Sequence, residues 1–223
     1  MRTTLCAGLR ALCLVIAVLG TMTGIAMSGT NDRALLDAAA RGDAAAVAAL
    51  LSSGADVDAR DGRGRTALLL ATHADHVEAA RLLIEAGADV NAKDDIHDSP
   101  YLYAGAHGRL GILRLTLAHG ADLKSTNRFG GTALIPAAER GHVETVRTLI
   151  EAGVDVDHVN NLGWTALLEA IVLSDGGPRH VEIVRLLVDA GADTGIADRD
   201  GVTPLQHARA RGYREIAEIL EGR

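Results

Sequence analysis

The chain has 223 residues, 48% of them hydrophobic and only 2% aromatic, with 22 basic and 29 acidic side chains and a formal net charge of −7. That length admits one sizeable core or a stack of small units. A core poor in rings must be built from Ala, Leu, Val and Ile, which suits thin, closely stacked helices. The acidic balance argues against a primary role in nucleic-acid binding, which needs a basic surface.

The N-terminal segment differs in kind from the rest. Arg2 and Arg10 are its only charges before Asp32; an apolar run covers 11–20, and small residues follow over 21–28. This order predicts a secretory signal over residues 1–28, with cleavage after Ala26 or after Ser28. The apolar stretch 11–27 also sits at the lower edge of a membrane-spanning length, so an uncleaved anchor is the alternative. Cys6 and Cys13 both lie here and lack the small residues that precede a lipidated cysteine. A form starting near Met27 therefore has no thiol nucleophile and no thiolate metal site.

Beyond this segment the chain repeats itself. Gly-Ala-Asp-Val or a close relative begins at Gly54, Gly87, Gly120, Gly153 and Gly191, at intervals of 33, 33, 33 and 38 residues. A second phrase keeps the same register at Thr66, Ser99, Thr132, Thr165 and Thr203, with a degenerate first copy at Arg33. The shared five-residue slip is the insertion Ser174-Asp-Gly-Gly-Pro178, whose composition predicts a flexible, non-helical loop between two helices, either a second contact point or a neutral surface insertion.

Each unit reads the same way. Thr or Ser is an N-cap, and Pro100 and Pro204 fall at the first helical position, where no N–H is needed. A short Ala-rich helix ends at Gly42, Gly108, Gly141 or Gly212, with Asp75 standing where one such Gly belongs. The second helix carries an apolar stripe, as in Val143, Val146, Leu149 and Ile150. A Gly, a short extended stretch and a Gly-rich turn lead to the next cap. No unit buries its stripe alone, so stacking of neighbours is required.

In Thr203-Pro-Leu, Gly141-His-Val-Glu and the recurring Gly-Ala-Asp-Val, in one register over 31–223, the chain resembles the ankyrin repeat. The resemblance implies an all-α solenoid of about six helix-turn-helix repeats joined by β-hairpin-like loops, with units near 33–65, 66–98, 99–131, 132–164, 165–202 and 203–223. The fourth position of the family's Thr-Pro-Leu-His is never His here, Pro136 falls within the first turn of its helix, and the third unit is irregular from Ile96 to Tyr103.

Nine histidines and many carboxylates invite a catalytic reading, but none assembles. His76, His142 and His180 recur at one place, which points to bonding near the turn between helices. Asp56, Asp89, Asp122, Asp155 and Asp193 recur with the Gly phrase and are expected to bond the loop backbone. No nucleophile elbow, phosphate loop or zinc motif is present, so we expect no enzyme, no cofactor and no metal.

The resemblance places partner contacts on the hairpin tips and the first helices, which line a concave groove in this family. Mapped here, the candidates are Trp164, Phe129 and Leu162 in adjacent turns, Tyr101 and Tyr103 on the preceding helix, the tip arginines Arg63, Arg65 and Arg128, and His107 on an inner helix, with His73, Ala74, Ala106, Glu139, Arg140, Arg209 and Ala210 completing the groove. Exposed arginines would favour an acidic partner segment. The expected function is a protein-binding scaffold or accessory protein in the periplasm, with a secreted effector that binds a host or competitor-cell protein as the alternative. Its partner is a protein, not nucleic acid, and a membrane enters only if the N-terminal segment stays as an anchor.

Overall fold

The computed structural model describes residues 29–222, so the expected signal at 1–28 lies outside the described residues. Twelve helices among the described residues pair into six units: α1 (29–41) with α2 (Ala44–Ser52), α3 (Ala67–His73) with α4 (Val77–Glu85), α5 (Pro100–Ala106) with α6 (Leu110–Ala118), α7 (Leu134–Glu139) with α8 (Val143–Glu151), α9 (Ala166–Val172) with α10 (Pro178–Asp189), and α11 (Pro204–Arg211) with α12 (Arg214–Glu221).

Local chemistry sets the starts of the first helices. The hydroxyls of Thr66, Ser99 and Thr165 each accept from the N–H three residues on, at 3.2 Å. Thr203 does the same at 3.3 Å and completes a capping box with Gln206. Thr132 breaks the pattern. Its hydroxyl is buried without a partner, and α7 begins one residue late, at Leu134 after Ala133. Pro136 has no N–H to return to the Thr132 carbonyl, so the first turn cannot close on this cap.

Packing follows from the pairing. First helices stack on first helices (α3 on α5, α5 on α7, α7 on α9, α9 on α11), and second helices stack on second helices from α2 to α12. The two rows enclose one continuous apolar cluster running from Leu35 to Leu220. In α8 the predicted stripe is in place: Val146 and Leu149 are fully buried, and Val143 and Ile150 pack partly buried against them. Fully burying such a side chain stabilises by about 1.5–3 kcal/mol, and each one is buried by residues of the next unit as well as its own.

Polar ladders fix the spacing of the units. Asp56, Asp89, Asp122, Asp155 and Asp193 each accept, through Oδ1, the backbone N–H two residues on, as expected of this column. The N–H groups of Asp89, Asp122 and Asp193 are in turn held by Asp58, Asn91 and Asp157 of the preceding unit, and that of Asp56 by Asp32 at the start of α1. The rings of His76 and His142 lie against Gly42 and Gly108, and His180 Nε2 bonds the Glu139 carbonyl at 2.9 Å. Between the second and third units this Gly–His pair is replaced by a charged pair: Asp75, left-handed at φ 59°, faces Arg109 at 3.5 Å.

The insertion departs from its expected character. Pro178 opens α10, which is 12 residues long where α4, α6 and α8 each have nine, so the extra chain partly lengthens a helix. The rest is tied down: Tyr213 donates its hydroxyl to the Ser174 carbonyl at 2.7 Å, and Asp175 accepts from the Gly177 N–H at 2.9 Å.

Two outcomes test these contacts. Gly108 has φ +66°, and a Cβ there would come within 2.7 Å of the His142 ring, whereas Gly54 at φ +83° has nothing within 4 Å. Gly108→Ala is expected to cost about 2–3 kcal/mol and Gly54→Ala about 1 kcal/mol in denaturant unfolding, the difference being the ring contact. His97 occupies the left-handed tip position, φ 65°, that Gly64, Gly130, Gly163 and Gly201 fill elsewhere. His97→Gly is expected to raise stability by about 0.5–1 kcal/mol; a loss would mean that the His97 side chain holds its tip.

Candidate partner-binding site

The hairpin tips are built by a side-chain column. Asp61, Asp94, Asn127, Asn160 and Asp198 each use one Oδ1 to accept two N–H groups, two and four residues on, as when Asn127 holds Phe129 at 2.8 Å and Gly131 at 3.1 Å. The backbone N–H of the same residue closes the hairpin, for example Asn160 to the Trp164 carbonyl at 3.0 Å. Tips also bond to each other, Asn161 N–H to the Phe129 carbonyl at 2.9 Å and Asp95 N–H to the Arg63 carbonyl at 3.1 Å. Among the described residues only an isolated Arg60–Thr66 bridge counts as β-structure. Sequence reading did not single out this column, although it recurs in the register of the Gly phrase and that recurrence was the available signal.

Between the third, fourth and fifth units these tips and the helices α5, α7 and α9 enclose an open groove of about 240 Å³. Phe129, Leu162 and Leu173 stand on its rim, 51%, 50% and 50% exposed. Ile135 and Pro136 of α7 form the apolar part of the floor and are buried. Tyr103 and His107 line the third-unit wall, held in a stack in which Tyr103 lies 4.1 Å from His73 and 3.9 Å from His107, centroid to centroid. The groove is smaller than a typical small-molecule pocket of about 300–1,000 Å³, so it suits a few side chains of a larger partner.

The floor is charged. Glu169 on α9 is only 6% exposed. Burial, and then the Glu139 carboxylate beside it, push its carboxyl up to about 7, against the Asn160 amide, which donates to Oε1 at 2.8 Å, and Arg140. Asp98 is raised by burial and by Asp94. His107 is pushed down to about 4, mainly by burial and then by Arg140 and Arg109, so its ring is neutral at pH 7. Arg128 lies over the Phe129 ring, 4.7 Å from its centroid and 3.9 Å from Asp98. Arg140 donates to the Ala106 carbonyl at 2.6 Å.

The structure thus brings five of the nine candidate contact residues into one groove: Phe129, Leu162, Arg128, Tyr103 and His107. Tyr101 is a correction. It is fully buried, its hydroxyl has no partner, and burial raises its pKa, so it belongs to the core. Residues two apart on a helix point about 200° apart, so Tyr101 and Tyr103 could not share one face. Trp164 is half-buried and does not line the groove. Arg65 is held by Asp61 at 2.6 Å, and it and Arg63 sit on the first hairpin, away from the groove. Glu169, Leu173, Ile135 and Pro136 were missed. Glu169 could have been found as a lone charge in the apolar helix α9.

Among the described residues no group of three His, Cys, Asp or Glu side chains is placed to hold a metal ion, and no helix is long and apolar enough to cross a membrane.

Known proteins agree with this architecture. A family model of ankyrin repeats (three copies) matches residues 12–94 and 101–198. The crystal structure of an ankyrin repeat domain, ABAYE2397 from Acinetobacter baumannii AYE, is 66% identical and superposes with a TM-score of 0.83, covering 84% of this chain and 96% of that one. The ankyrin repeat protein EF0377 is 46% identical with a TM-score of 0.82, over 85% of this chain and 97% of its own. The ankyrin repeat protein YahD of Escherichia coli (strain K12) is 42% identical over 53 residues, so the chain spans only about a quarter of that curated relative, 26% of its length. Ankyrin repeats in general mediate protein–protein interaction and form a largely non-enzymatic fold. With twelve stacked helices, six registered units and these matches, the chain belongs to the ankyrin-repeat family.

Proposed function

We propose that the chain is a scaffold or accessory protein that grips a protein partner in the groove of its third to fifth units, and that it does so in the periplasm after export. The observation that carries the binding reading is the rim: Phe129, Leu162 and Leu173 hold half their surface open to solvent around a floor whose Ile135, Pro136 and Glu169 are buried. Large apolar groups beside a desolvated pocket are the arrangement in which a few residues dominate binding. The export reading rests on the charge, apolar run and small residues of 1–28.

Phe129→Ala combined with Leu162→Ala is expected to cut recovery of the partner, crosslinked in intact cells and identified by mass spectrometry, by at least about tenfold while leaving the unfolding midpoint within about 2 °C. Unchanged recovery would place the contact elsewhere. Osmotic-shock fractionation of cells carrying the tagged full chain should release it with the periplasm. Retention with the cytosol would sink the export reading, and appearance in the medium would turn it toward a secreted effector.

A further inference from the structure

Resting on the groove as the partner site, we propose that the segment it takes sets a lysine or arginine side chain between apolar ones. The floor holds two carboxylates on neighbouring helices, Glu139 on α7 and Glu169 on α9, and Glu139 disfavours charge on Glu169. Asn160 satisfies Oε1 of Glu169; among the described residues Oε2 accepts no hydrogen bond, and the Glu139 carboxylate makes neither a hydrogen bond nor an ion pair.

The positive groups nearby are already engaged. Arg128 is held over Phe129 and beside Asp98, and Arg140 donates to a backbone carbonyl. This overturns the expectation that tip arginines select an acidic segment: Arg128 is the only one at the groove, and its charge is met by Asp98. Once that pair is set aside, two floor carboxylates face one guanidinium, and His107 adds no charge near neutrality.

An incoming cation therefore meets a carboxylate whose desolvation has been met by folding, which removes part of the usual cost of burying an ion pair. A long basic side chain also fits the shape. Its methylene stem can lie along Phe129 and Leu162 while its head reaches Glu139 and Glu169. The flanking apolar side chains then cover Leu173 and the rest of the rim.

The groups that face Glu169 are Glu139 and Arg140 from α7 and Asn160 from the hairpin. A cation favours the ionised form, so binding should draw the proton off Glu169 and weaken as acid returns it.

The test is random twelve-residue peptide display against the full chain, followed by affinity measurements on the enriched peptides. We expect enriched peptides with Lys or Arg flanked by Leu, Ile or aromatic residues. Their affinity should fall at least about tenfold with Phe129→Ala and Leu162→Ala, and about tenfold between about pH 8 and about pH 6. Glu169→Gln, which keeps the size and the Asn160 contact, should weaken binding at about pH 8 and flatten that pH dependence. Acidic or uncharged peptides that still need Phe129 and Leu162, or basic ones indifferent to Glu169→Gln, overturn the basic-segment proposal and leave the groove reading standing. Peptides indifferent to Phe129→Ala with Leu162→Ala, or no enrichment at all, overturn both.

Discussion

A seven-residue helix such as α3 or α9 makes barely two turns and has too little apolar surface to hold itself folded in water. Its stability comes from the helix of the next unit, which covers the stripe its own unit leaves open. Leu68, Leu134 and Leu167, on the first helices of the second, fourth and fifth units, are each fully buried within a single cluster that no unit contains by itself. Every other feature, including the groove, depends on this nearest-neighbour burial, because the tips and inner faces are held in line only while the helices behind them are stacked.

Apolar contact alone would let short helices slide. The polar ladders remove that freedom by making each unit complete the hydrogen bonding of the next. Asp32, Asp58, Asn91 and Asp157 reach across to loop N–H groups, and the Asx column closes each hairpin from within. Where Lys124 replaces the acceptor, this link is absent between the third and fourth units, and the tip-to-tip bond of Asn161 to Phe129 joins those same two units. The Asp75–Arg109 pair shows how such a contact can change chemistry and keep its geometry: a left-handed Asp takes the place of Gly, and a guanidinium takes the place of the imidazole.

Features decided by residues close in sequence were legible before the structure. The caps at Thr66, Ser99, Thr165 and Thr203, the prolines at Pro100 and Pro204, and the Asp column each depend on partners within four residues. Features decided by rotation or by distant partners were not. Thr132 looked like its fellows until Pro136 delayed the helix. Tyr101 and Tyr103 looked alike until helical phase sent one into the core and the other into the groove. The insertion, read as a loose loop from Gly-Gly-Pro, is secured by Tyr213, 39 residues away. Of the site, the exposed tips were legible and the floor was not, because Glu169 owes its character to Asn160 and Glu139 on other elements.

The groove carries a tension that the rest of the solenoid avoids. On the second helices carboxylates are paired: Glu78 and Glu85 flank Arg81, and Arg147 and Arg185 reach across the row to Glu182 and Glu215. In the sixth unit the position matching Glu169 is His207, whose Nε2 is 2.7 Å from the Asp198 carboxylate, so donor and acceptor are matched there. Where the fourth unit meets the fifth, the tip residue Asn160 is an amide and the helix residue Glu169 is an acid, which leaves a buried carboxylate with one neutral donor and a second acid as neighbour. A carboxyl group that burial raises above its unfolded value costs the stack stability as pH climbs through that window, and a cation that favours the ionised form offsets the cost. The same repeat geometry that sets His207 on Asp198 therefore leaves Glu169, beside the exposed Phe129 and Leu162, with a neutral donor where its counterpart has a matched one.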